Sequence, residues 1–133
     1  MRGPLFQKVD CVMLKVGNLE AAVGFYASAL GHQVAWRTSE AVGLSMPETD
    51  AELVLHTRHG PEVDMMVDSV EDAFGCFIAA GGEVIEPPFD IPIGRCAVVR
   101  DPFGNALVML DQTKGAFVTD ADRRVVRVAK PPL

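Results

Sequence analysis

Cysteine is sparse in this chain: Cys11, Cys76 and Cys96 are three among 133 residues, odd in number, widely spaced and without a C-x-x-C pair. That pattern excludes a disulfide framework and a zinc knuckle, so the three read as small buried hydrophobes. Basic charge is also short, with 12 Lys and Arg against 18 Asp and Glu and a net charge of −6. The resulting field repels phosphate backbones and anionic lipid, which argues against nucleic acid and membrane surfaces as partners. Long apolar runs are missing as well. The first ten residues hold no signal-peptide core, and the longest charge-free stretch, Ala21 to Trp36, is interrupted by Ser28, Gly31, His32 and Gln33. A cytoplasmic location is the expectation. There is no phosphate-cradling glycine motif, no G-x-S-x-G elbow and no His-Glu-x-x-His helix. What remains, 49% hydrophobic and 23% charged, is the composition of one folded domain.

Sliding the sequence on itself by 51 residues aligns Cys11–Val34 with Glu62–Ile85 without a gap. Identities fall at Val12/Val63, Val16/Val67, Glu20/Glu71, Ala22/Ala73, Gly24/Gly75, Ala29/Ala80 and Gly31/Gly82, and Leu14/Met65, Leu19/Val70, Tyr26/Phe77 and Val34/Ile85 keep apolar character. The chain is read as an internal duplication.

Each copy opens with a strand whose alternation puts Val12, Leu14 and Val16, or Val63, Met65 and Val67, on one face. Asn18 and Ser69 follow as N-caps, and Asp72 completes a capping-box pattern. Helices are predicted near Leu19 to Leu30 and Val70 to Ala80. Their stripes are Leu19, Val23, Tyr26 and Leu30, and Val70, Ala73, Phe74, Phe77 and Ile78. Gly31 and Gly81-Gly82 supply left-handed ends. Three extended runs follow each helix: His32 to Thr38, Val42 to Met46 and Glu52 to Thr57, then Glu83 to Glu86, Arg95 to Arg100 and Ala106 to Asp111. Pro87-Pro88 ends a strand, and Asp101-Pro102-Phe103-Gly104 fits a tight turn. The order is βαβββ twice, in modules of about 7–58 and 60–112 within one domain, 1–112. Residues 113–133 form a tail with five Lys or Arg against two Asp, either an arm across a neighbouring subunit or loose.

The segments VDCVMLKVGNLEAAVGFYASALG, PEVDMMVDSVEDAFGCFIAAGG and RCAVVRDPFGNALVMLD, set in the doubled βαβββ order, resemble the vicinal oxygen chelate superfamily over about residues 7–112. That superfamily contains glyoxalase I, extradiol dioxygenases, fosfomycin-modifying enzymes and bleomycin-binding resistance proteins. The resemblance implies an α+β fold of two tandem βαβββ modules forming a curled open sheet around a ligand cavity. It also implies a homodimer that closes the cup, and a divalent metal held by four side chains. Those four positions carry over onto Cys11, Val54, Glu62 and Val108.

Here the chain departs from the pattern. Glu62 is an ordinary ligand, whereas Val54 and Val108 have no lone pair, and Cys11 would need to lose its proton and favours soft, thiolate-rich sites. No metal and no cofactor are therefore expected. An unconventional set of Cys11, His56 and Glu62 is the one metal alternative, because His56 shares the strand face of Val54. His32 and His59 read as solvated surface residues.

Alternation leaves Cys11, Met13, Val54, His56, Glu62, Asp64, Met66 and Val108 for the cavity. Glu62 and Asp64, roughly 7 Å apart on one strand face, raise each other's pKa, which makes Glu62 the candidate catalytic base. The other reading pairs them with Lys15, Arg37 or Arg95. Cys11 is a weak nucleophile candidate beside an inert cavity thiol. Trp36, taken to share a face with Val34, either stacks on a flat ligand or belongs to the core. Pro87 to Gly94 reads as a stiff loop at the cavity rim or a plain connection, with Arg95 after it as an anchor for an anionic substituent.

The expected function is a metal-free small-molecule-binding protein that sequesters a hydrophobic or cationic ligand. The alternative is a glyoxalase-type lyase, isomerase or dioxygenase using a divalent metal or Glu62 as base. A third reading is a non-catalytic regulatory module.

Overall fold

Alternation and helical spacing do build the first module as a sandwich of sheet and helix. A computed structural model describes residues 3–130. Its strands are β1 (Lys8–Lys15), β2 (Val34–Arg37), β3 (Ala41–Met46) and β4 (Thr49–His56), in the sheet order β2-β3-β4-β1. β1 runs parallel to β4, and the other neighbours are antiparallel. Between β1 and β2 lies α1 (Leu19–Val23), which continues as a π-helix over Gly24–Ala29. Asn18 caps it as predicted, its Oδ1 accepting from the Ala21 amide at 2.9 Å. Leu19, Ala22, Val23 and Tyr26 pack on Val42, Leu44 and Leu55, with Leu14 and Val16 of β1 beside them.

The predicted helix to Leu30 keeps its length but not its winding. Leu30 donates to Phe25, five residues back, and each such turn takes up an extra residue, rotating the later side chains by about 100° around the axis. Leu30 therefore leaves the predicted stripe and is 54% exposed.

The second module repeats the order with β5 (Glu62–Met66), α2 (Val70–Ala79), β6 (Glu83–Ile91), β7 (Gly94–Arg100) and β8 (Ala106–Leu110), in the sheet order β5-β8-β7-β6. β5 and β8 are parallel, and β6, β7 and β8 are antiparallel. Ser69 caps α2 through the Asp72 amide. Val70 and Ala73 bury against Val67, Ala97, Val99 and Met109, with Phe74 and Phe77 packed alongside. Gly31 and Gly81 end the two helical segments at φ 86° and 114°, where any other residue is strained. The fold is thus α+β, βαβββ twice.

Two further predictions need correction. Pro87-Pro88 does not end a strand, and PPFDIPIG is not a rim loop: β6 continues through both prolines to Ile91. It lies at the end of its sheet order, with register shifts between Val84 and Glu86 and between Glu86 and Phe89. At an edge and at such irregularities a missing N–H costs no ladder bond. The tail, over its described part, is a hairpin of β9 (Ala116–Thr119) and β10 (Val125–Ala129); Pro131-Pro132 lie outside the described residues. The hairpin folds back on its own chain, with Arg37 N–H donating to the Arg123 carbonyl at 2.9 Å and the Phe117 ring 5.0 Å from that of Trp36.

The chain divides into two compact units, residues 10–63 with 117–127, and residues 3–9 with 64–116 and 128–130 among those described.

Candidate functional site

Each module has one sheet face turned away from its helix, and nearly all the cavity residues expected from the sequence lie on those faces. In the first module Cys11 pairs with Glu52, Met13 with Val54 and Lys15 with His56 along the parallel β1–β4 ladder, so all six side chains share that face. Gly43 and Ala41 of β3 continue it, opposite Val54 and His56. Cys11, Ala41 and Val54 are 4%, 5% and 3% exposed and pack with Met13 and Trp36. In the second module the corresponding face carries Asp64 and Met66 beside Val108 and Leu110. Asp64 and Met66 are buried, and Val108 is half-buried.

Trp36 reaches the first of these faces through an irregularity invisible to a period-of-two reading. The β2–β3 register shifts between Val34 and Trp36. Such a bulge flips the strand, so Val34 packs under the helix while Trp36 turns to the other face, not the shared one predicted. The indole ring lies against Gly43, in space that a Cβ there would fill. Its Nε1–H donates to Oε1 of Glu52 at 2.7 Å. Phe117 approaches the ring at an interplanar angle of 58°.

Glu52 was not singled out from the sequence, although it stands two residues before Val54 and so on the same face. Burial raises its pKa above the usual carboxylate value; the indole hydrogen bond opposes that rise and the charge of Asp10 adds to it. The ion pairs of Arg58, Arg95 and Lys114 go to Glu40, Glu71 and Asp90 and do not involve it.

His56 spends its Nδ1 lone pair on the chain itself. That atom accepts the backbone amides of Arg58 and His59 at 3.0 and 3.2 Å, and the His59 ring is 4.7 Å away. Burial, and then the neighbouring His59, lower its pKa. Arg95 is engaged by carboxylates of its own module, Glu71 at 2.7 Å and Asp90 at 3.2 Å. Glu62 is half-buried at the start of β5.

The metal that the resemblance implies does not fit these residues. Val54 and Val108 offer only carbon, Cys11 is packed among Ala41, Val54, Met13 and Trp36, and His56 has one nitrogen committed to backbone donors. Among the described residues no three His, Cys, Asp or Glu side chains gather as metal donors would, so the alternative set of Cys11, His56 and Glu62 is not assembled either.

The model of the Glyoxalase/Bleomycin resistance protein/Dioxygenase superfamily matches residues 8–109, and the chain belongs to that superfamily. Among solved structures it is similar to methylmalonyl-CoA epimerase from Mycobacterium tuberculosis, at 15% identity and a TM-score of 0.68, over 85% of this chain and 93% of that one. It is also similar to the Mn(II)-bound glyoxalase from Novosphingobium aromaticivorans, at 18% identity and a TM-score of 0.59, over 97% of this chain and 42% of that one. A variant of homoprotocatechuate 2,3-dioxygenase from B. fuscum is 24% identical with a TM-score of 0.57, over 84% of this chain and 34% of that one. At such identities the likeness speaks to fold alone. No curated protein matches the chain. No helix among the described residues is long and apolar enough to cross a membrane.

Proposed function

We propose that this member of the superfamily is a small-molecule-binding protein that works without a metal, holding a hydrophobic or cationic ligand. The observation that carries the reading is the donor chemistry at the four expected ligand positions: Val54 and Val108 cannot coordinate, and Cys11 belongs to a packed apolar cluster. A face of Met13, Val54 and Cys11 edged by carboxylates suits an apolar or positively charged molecule better than a polyanion. The net charge of −6 favours the approach of cations and disfavours nucleic acid and anionic membranes. In this reading the chain acts in the cytoplasm as a homodimer, the commonest closed assembly; light scattering should give about twice the 14.3 kDa chain mass.

The deciding experiment is elemental analysis of protein purified without added metal, followed by thermal shift with Ni, Zn, Mn and Fe. Far less than one equivalent of bound ion and no ion-dependent shift are expected. A stoichiometric ion that is lost in Glu62→Gln would overturn the reading in favour of a glyoxalase-type enzyme.

A further inference from the structure

We infer that the helical side of the first module is a contact surface for a second copy of this chain, centred on Phe25 and Leu30. This rests on the homodimer reading and gives the second copy a place: against the helix, on the side of the module's sheet opposite Cys11 and Val54.

The local winding assembles the patch. In a regular α-helix Leu30 would point about 140° away from Phe25. The bond from the Leu30 amide to the Phe25 carbonyl, 3.0 Å, takes up one extra residue and cuts that angle to about 40°. Both side chains therefore project from one side of the segment, 56% and 54% exposed, while Tyr26 and Ala27 pack inward. Turns wound in this way recur at functional positions.

The second module acts as an internal control. At the shift of 51 residues Tyr26 becomes Phe77, and each packs on its own sheet. Phe25 becomes Cys76, however, and Leu30 becomes Gly81. The same unit thus stands without an outward phenylalanine or leucine, so the folding of a βαβββ module does not account for them.

Charge decides the occupant. A chain carrying −6 repels its copies, and two copies approach most readily where neither presents charge. No charged residue occurs from Ala21 to Trp36; Ala21, Ser28 and Ala29 are exposed around the patch, with open space over Gly24 for a partner's ring. Glu20 is the nearest acid along the segment, and an antiparallel crossing at Phe25 keeps two Glu20 residues about 15 Å apart, beyond the screening length of about 8 Å. A twofold axis matches such a face with itself. Phe25 and Leu30 together expose roughly 200 Å², about a quarter of what each side of a standard interface buries. The contact therefore spreads over the small residues and dissociates on dilution.

Light scattering from about 1 to 200 µM should show the wild type passing from monomer to dimer. Phe25→Glu and Leu30→Glu should each weaken association at least about tenfold, because like charges meet across the axis. Phe25→Lys should do the same, and mixing it with Phe25→Glu should restore the dimer. Phe103→Glu, at an 86% exposed position of the second module, should leave the mass unchanged. In the wild type, hydrogen exchange over residues 21–30 should slow as concentration rises, a readout that needs no substitution. A wild type that stays monomeric would overturn both the surface and the homodimer reading. Dimerisation indifferent to Phe25→Glu and Leu30→Glu, or exchange indifferent to concentration, would overturn the surface alone. Failure of the mixed variants to pair, or capture of the monomer by phosphatidylcholine vesicles through Phe25, would overturn the second copy as occupant. The small-molecule reading fails separately, on the measurement of bound ion.

Discussion

Gly94 lies so close to the carboxylate of Asp111 that a side chain at position 94 would occupy the same space. The contact lets Asp111, 1% exposed, reach three segments of the second module at once. It accepts the Val70 amide at the start of α2 at 2.8 Å, the Arg95 amide at the start of β7 at 2.9 Å, and the Thr113 hydroxyl at 2.9 Å.

Asp111→Ala should therefore cost about 3 kcal/mol or more, because it strands buried backbone donors, and Gly94→Ala should cost a comparable amount by displacing the carboxylate. Burial works to raise the Asp111 pKa, but the bonds from Val70, Arg95 and Thr113 outweigh it and hold the group below its ordinary value. Its stabilisation is accordingly complete above the ordinary carboxylate range and is lost as pH falls through the depressed folded value. Urea titrations across the acid range should show a steep slope that flattens in Asp111→Asn. An unchanged slope would remove Asp111 from this role.

Glu52 should behave in the opposite sense. Its folded pKa is raised, so the folded state holds the proton more tightly, and stability contributed at low pH is lost as pH rises through the folded value. Glu52→Gln should then raise the thermal midpoint at pH 7 and have little effect at pH 4. A lower midpoint at pH 7 would mean that the carboxylate is supported by its surroundings.

Gly43→Ala should unseat Trp36. Overpacking of this kind costs about 1–3 kcal/mol, and the indole should lose its bond to Glu52. The readout is a red shift of tryptophan emission together with a lower urea midpoint; a stable variant with native emission would contradict the packing described.

His56 should act as a clasp for the residues after β4. Its Nδ1 accepts only while the ring is neutral, and its folded pKa is lowered, so this stabilisation is full above the ordinary histidine range and fades as pH falls through the folded value. His56→Ala should cost about 1–2 kcal/mol and speed hydrogen exchange at the Arg58 and His59 amides. Exchange at those amides that ignores both the substitution and acid pH would refute the clasp.

The duplicated order and both helix starts were legible because they rest on short-range rules: Asn18 and Ser69 cap through amides three residues on, and the strand faces follow alternation. Even there the pattern has an edge, since Val12 and Val63 share the helix-side face yet stay 36% and 41% exposed. What escaped were departures from regular period. One extra residue in the β2–β3 register sends Trp36 to the face opposite Val34, and one i→i−5 turn sends Leu30 out of the helical stripe. Glu52 escaped for another reason: its meaning comes from Trp36, 16 residues away, and that contact exists only because of the bulge. The hairpin of β9 and β10 was hidden because its anchors, Trp36 and Arg37, lie far up the chain.

That last distance has a consequence for synthesis. Strands β1 to β4 leave the ribosome well before Phe117 does, so the Trp36 face spends an interval without the aromatic cover that the finished chain gives it. A chain ended between β8 and β9 would hold every strand of both βαβββ modules and still leave the indole without the ring of Phe117 against it. For this protein, having the strands and helices of the modules and covering Trp36 are separate events, divided by the translation of one short hairpin.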